Sequence, residues 1–255
     1  MNPTTPRLIR IARALRLAFH FAWIALGTAA LYPRLDAAAR ARLKQRWSRQ
    51  ILDILCVRLD AQPSDAPAGC LIVANHVSWL DITAVHAVCP QARFVSKSDV
   101  KAWPVLGWLI GAAGTLFIER ENKRDALRVV HQSAQALREG DTVAVFPEGT
   151  TSDGHHLLPF HANLLQAAVA TGTPLQPLAL RFSDPDHAVS PAAAYIGDMT
   201  LAESLWTIVC TEGLVVHIDI LPQQPVDGLD RRALGEAVRT QIAAALGVSA
   251  DSAAH

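Results

Sequence analysis

The residues best suited to chemistry lie in Asn75-His76-Val77-Ser78-Trp79-Leu80-Asp81, where a carboxylate follows an imidazole by five positions. The stretch comes directly after the apolar run Cys70–Ala74, which reads as a short buried strand. Ser78 with Asp81 three positions on has the spacing of a capping box, so a helix is expected to begin here. His76 then stands between a strand end and a helix start, with a carboxylate in the first turn that can fix its tautomer. A neutral, oriented imidazole is what a general base requires. The bland alternative is a capping Asp beside a satisfied loop His, and three further stretches weigh against it.

In Phe94-Val95-Ser96-Lys97 and Gly114-Thr115-Leu116-Phe117-Ile118-Glu119-Arg120, short apolar runs each end on a cation. Strand ends of this kind face the crevice where α/β folds bind ligands, and the pair Lys97 and Arg120 suits an anionic group. A third run, Val145-Phe146, leads into Pro147-Glu148-Gly149-Thr150-Thr151-Ser152-Asp153-Gly154. Gly149 permits close backbone approach, and the amides and hydroxyls around it can donate to a substrate or an oxyanion. Thr173-Pro174-Leu175-Gln176-Pro177 opens another strand with two prolines, which suits a sheet edge or a pocket wall.

Positioning these groups takes an α/β architecture. Candidate strands are Cys70–Ala74, Arg93–Val95, Thr115–Ile118, Thr142–Phe146, Leu175–Arg181 and Leu214–Leu221, alternating with candidate helices Trp79–Val88, Asp125–Arg138, Ala162–Thr171 and Arg231–Leu246. That alternation predicts a mixed central sheet flanked by helices. The chain divides into N-terminal helices over 1–60, an α/β domain over 61–248 and a frayed tail over 249–255.

Formal charge is zero, yet residues 1–50 hold ten Lys or Arg against Asp36 alone, a net of +9 on a body of −9. Arg7, Arg10, Arg13 and Arg16 recur among apolar residues as in a basic amphipathic helix, and Leu17–Tyr32 is almost wholly apolar. A basic segment alone could meet nucleic acid, but the hydrophobicity beside it points to a membrane. At 16 residues the apolar stretch is shorter than the ~20 that span a bilayer, so it is read as a monotopic anchor, with a span from Ile11 to Tyr32 as the competing possibility. The four cysteines lie far apart with no Cys-x-x-Cys pair, against a zinc knuckle or redox motif.

Asn-His-x-Ser-x-x-Asp at 75–81, Gly-x-x-Phe-Ile-x-Arg at 114–120 and Phe-Pro-Glu-Gly-Thr at 146–150 occur in that order. The set resembles the glycerolipid acyltransferase family, whose best-known members are 1-acylglycerol-3-phosphate acyltransferases, over about residues 70–185. The resemblance implies that His76 is the catalytic base and Asp81 the carboxylate orienting it. Lys97 and Arg120 match residues that hold the acceptor's phosphate, while Glu148, Gly149 and Thr150 match the third motif at the substrate site. It also implies a lysolipid acceptor, acyl-CoA or acyl-carrier protein as co-substrate, no metal or other cofactor, and work at the anionic, cytoplasmic face of the inner membrane. Two positions depart from the pattern: Glu119 stands where Asp is usual, and Thr151 where Arg is common. The run Glu148–Gly154, with Leu158-Pro-Phe160 and Tyr195-Ile-Gly-Asp198, also resembles acyltransferases acting on lyso-ornithine lipids.

Other classes fit less well. A serine hydrolase would show a Gly-x-Ser-x-Gly elbow, which does not occur, and neither phosphate-loop pattern is present. His155, His156 and His161 could be drawn as metal ligands, but no carboxylate stands at ligand spacing on a helix. A non-enzymatic membrane-binding protein would keep the N-terminus and have no use for the four coordinated stretches.

Overall fold

The computed structural model describes residues 6–61, 69–118 and 123–249, the side chains of 123–126 aside. Seven strands form one sheet: β1 (Arg58–Ala61), β2 (Leu71–Ala74), β3 (Arg93–Lys97), β4 (Leu116–Ile118), β5 (Val143–Val145), β6 (Leu175–Ser183) and β7 (Val215–Ile220). Their order is β1-β7-β6-β2-β5-β3-β4, parallel throughout except where β6 meets β7. β2 and β5 are apolar at every position because strands inside a parallel sheet are buried on both faces.

Period-two alternation sends those side chains into two cores. Ile72, Ala74, Phe94, Ala144, Leu178 and Leu180 pack with α1 (Arg7–Ala30), α2 (Ala37–Leu55), α3 (Leu80–Val88) and α7 (Leu201–Cys210). Leu71, Val73, Val143, Val145, Leu175 and Ala179 pack with α5 (Lys123–Arg138), α6 (Gln166–Thr171) and α8 (Arg231–Leu246). Since β2, β5, β3 and β4 run the same way, their C-terminal ends open on one edge of the sheet, as ligand crevices of α/β folds do.

At the N-terminus, the basic start and the apolar stretch merge into one 24-residue helix, α1. At about 1.5 Å per residue it is long enough to cross a membrane by length and composition. Yet its inward face, Leu17, His20, Ile24 and Thr28, is buried along the domain. Arg13 donates to the Val209 carbonyl at the end of α7 (3.1 Å). Gly27 makes the crossing with α2 close: a Cβ there would stand 2.7 Å from Trp47 Cζ2. The outer face leaves Leu8, Leu15, Phe19, Trp23 and Leu26 more than half exposed.

Several elements differ from expectation. β1 straddles the domain boundary placed at 60/61, so three residues of the sheet's edge strand come from the N-terminal segment. α4 (Leu106–Ala112) and α7 were not expected, although Thr200 and Glu203 form a full capping box ahead of α7. Ala162–Thr171 divides into a 3-10 stretch (Ala162–Leu165) and α6. β6 is a central strand, not an edge: Pro177 pairs with Val73 near its start, and regular pairing with β7 begins only at Leu178. Of the expected tail, only Ser249 lies within the described residues.

Candidate active site

β2 ends at Ala74, and the Asn75 side chain carries its pairing one step further. Its amide donates to the Leu180 carbonyl (2.9 Å) and its oxygen accepts from the Leu180 N–H (2.7 Å). This clasp holds the strand end while the main chain turns away into α3. Asp81 is fully buried, and its Oδ2 gathers three donors: His76 Nδ1 at 2.7 Å and the N–H groups of Val77 (2.7 Å) and Ser78 (2.9 Å). The expected capping box is not formed: α3 starts at Leu80 after Trp79 with no side-chain cap, and Ser78 Oγ accepts only from Leu80 N–H (3.3 Å), although Asp81 does accept from the Ser78 N–H. A carboxylate only accepts, hence Nδ1 carries the proton and Nε2 remains the basic nitrogen. Asp81 Oδ1 is buried without a hydrogen-bond partner among the described residues.

The turn after β5 clamps the same loop. Pro147 and Glu148 form a tight turn closed by Gly149 N–H to the Phe146 carbonyl (3.1 Å), and Gly149 takes a left-handed φ of 73°. That bond already engages the Gly149 N–H. Glu148 is buried, and its oxygens accept from the N–H groups of His76 (2.7 Å) and Leu158 (2.9 Å). Both oxygens thus accept from backbone N–H groups, and through them the carboxylate braces the His76 main chain. Burial pushes the Glu148 carboxyl up to about 7, against the pull of those two donors. Ser152 N–H closes the clamp on the His76 carbonyl (2.8 Å).

The imidazole plane is set by packing. Phe146 stacks on His76 with centroids 4.0 Å apart and planes 7° from parallel, and Phe94 stacks behind it at 5.4 Å. Arg239 of α8, buried, donates to the carbonyls of Leu157 (3.2 Å) and Leu158 (3.3 Å), fixing the segment that braces Glu148.

The structure therefore brings His76, Asp81, Glu148 and Gly149 together. Thr150 is exposed next to them. Lys97 is the exposed last residue of β3, on the same sheet edge but with β5 between it and the strand of His76. Arg120 and Glu119 lie outside the described residues, just past β4. Thr151 turns its hydroxyl onto the Tyr195 carbonyl. Asn75 and Phe146 were within the quoted motifs without a role assigned. Arg239 gave no signal, because nothing local to α8 marks a contact made so far along the chain.

Comparison with known proteins fits this edge. A family profile described as Acyltransferase matches residues 57–181, which include the whole loop-and-turn assembly. A lyso-ornithine lipid O-acyltransferase of Pseudomonas aeruginosa is 37% identical over 94% of this chain and 93% of its own. A 1-acyl-sn-glycerol-3-phosphate acyltransferase of Neisseria meningitidis is 36% identical over 84% and 85%. The crystal structure of the PlsC acyltransferase from Thermotoga maritima superposes with a TM-score of 0.67 at 22% identity, covering 93% of this chain and 96% of that one, and so shares the fold. Identity and coverage of this extent leave one assignment: the chain belongs to the acyltransferase family.

Proposed function

We propose that this acyltransferase moves a fatty acyl group from an acyl thioester, on coenzyme A or acyl-carrier protein, to the free hydroxyl of a lysolipid. The observation that carries the reading is the 2.7 Å contact between His76 Nδ1 and the buried Asp81, which dedicates Nε2 to taking a proton. Nε2 accepts the hydroxyl proton as the oxygen attacks the thioester carbonyl. The tetrahedral oxyanion then collapses, the carbon–sulfur bond breaks, and the leaving thiolate takes the proton from the imidazolium. Such a base contributes ~10²–10⁴ in rate. Glu148 acts through His76 as a positioning residue. Lys97 and Arg120 are read as holding an anionic headgroup, and Thr150 as lining the acceptor's path.

The first acceptor in this reading is 1-acyl-sn-glycerol-3-phosphate, giving phosphatidic acid. Thr151 favours a second, lyso-ornithine lipid. A hydroxyl engaged with Tyr195 supplies none of the bidentate phosphate grip of an arginine. α1 is read as a monotopic anchor on the cytoplasmic face of an anionic membrane, because one side of it is buried on the domain and the other is apolar with basic residues near its start.

The test offers both lysolipids in parallel with one labelled acyl thioester. Transfer that disappears in His76→Ala supports the mechanism. A clear preference for lyso-ornithine lipid selects the second acceptor, and transfer to neither sinks the reading.

A further inference from the structure

Between the end of β3 and α4 the chain makes a tight fold-back. A 3-10 turn (Ser98–Ala102) runs into Trp103-Pro104-Val105, and α4 then packs back on that turn. Gly107 makes the return possible: a Cβ there would stand 2.4 Å from the Lys101 carbonyl oxygen. The apex is apolar and in solvent, with Trp103 37%, Val105 58% and Trp108 49% exposed. Val105 also holds a φ of 61°, a costly conformation for a β-branched residue, at a site where its side chain gains no burial. Clustered exposed aromatics of this kind mark an interaction surface.

Two observations name the partner. α4 lies against α1, so the apex stands beside the helix whose outer face leaves apolar side chains exposed. Exposed Lys97 and Lys101, with exposed Asp99 between them, lead into the apex with a net positive charge, as Arg10 and Arg16 lie among the apolar residues of α1. Apolar tips beside a net positive turn, with Trp at the boundary, suit the interface of an anionic bilayer.

We propose that Trp103, Val105 and Trp108 form a second membrane-inserting element. With α1, it seats the Lys97 edge of the sheet on the bilayer, so that a lysolipid reaches the site from the lipid side. The proposal rests on the lysolipid reading above. Two anchors at separate points, unlike one helix, fix the tilt of the domain over the membrane.

Hydrogen exchange on the full-length protein, with and without phosphatidylglycerol–phosphatidylethanolamine vesicles, is the test. Amides of 103–112 are expected to gain protection together with those of α1, and less so with phosphatidylcholine vesicles. A Trp103→Ser/Trp108→Ser double variant is expected to bind the anionic vesicles about tenfold more weakly, with an unchanged melting midpoint. Protection of α1 without 103–112 overturns the proposal and leaves the lysolipid reading standing. Protection of both without transfer to any lysolipid supports the surface and removes that reading. Protection of 103–112 without vesicles, in a dimer seen by sedimentation, gives the face to a second copy and overturns the membrane assignment.

Discussion

Where β2 and β5 end, polar atoms are buried and paired; where β3 ends, apolar side chains stand in solvent. The first region holds His76 through its ring nitrogen, its main-chain N–H and its carbonyl, with an aromatic ring against its face. The second spends its tightest packing, Gly107 on Lys101, to present Trp103 and Val105 outward. A proton-transfer group has to be held to a fraction of an ångström, which takes convergent hydrogen bonds in a dry setting. A surface for lipid needs no such precision and only apolar area to offer. One sheet edge thus carries two surfaces built by opposite means.

The contrast can be broken at its strongest point first. His76→Ala is expected to lower acyl transfer by ~10²–10⁴ while leaving the fold intact, since the ring is partly exposed. Near-normal turnover in a labelled-thioester assay would falsify the base assignment. Next, Phe146→Ala removes a buried ring stacked between His76 and Phe94 and should cost about 3–5 kcal/mol in a denaturant melt. A loss below about 1 kcal/mol would mean the imidazole does not depend on that support.

Glu148 gives a pH signature. Its native pKa of about 7 stands above the ordinary 4.5, so between those values the folded protein holds a proton that the unfolded chain has released. Stability from this group is therefore complete below about pH 4.5 and is lost as pH rises through 7, by at most about 3 kcal/mol. Urea melts at pH 5 and 7.5 should show this fall in the wild type and a flatter profile in Glu148→Gln. Parallel profiles would remove the burial argument. The smallest effect belongs to the other region: Trp108→Ser should change stability by less than about 0.5 kcal/mol, because half of that ring is already in water. A large loss would show that the apex is part of the core.

Much of the dyad edge is legible in sequence because it is local. His76, Ser78 and Asp81 lie within six residues, and capping chemistry places the carboxylate back on the loop it follows. The strands β2 to β7 announce themselves as apolar runs between turn formers. β1 does not: Arg58-Leu59-Asp60-Ala61 alternates exposed and half-buried positions at the sheet edge, and only its pairing with β7 makes it a strand. α4, at 7 residues and capped by no side chain, carries no helical signature of its own. The role of Glu148 was also hidden. A carboxylate in a flexible turn reads as a substrate ligand, and nothing local to it announces that both its oxygens accept from backbone N–H groups.

Among the described residues, all three donors to the buried Asp81 meet Oδ2, so the carboxylate is held on the oxygen that faces the imidazole. In the proposed mechanism the imidazole gains its proton 2.7 Å from that carboxylate, and the dyad becomes electrically neutral at the moment an anion forms on the reacting carbon's oxygen. Charge passes from enzyme to substrate without an ion entering or leaving the protein. The chemical step should therefore be almost blind to ionic strength, while the encounter with a charged bilayer is not.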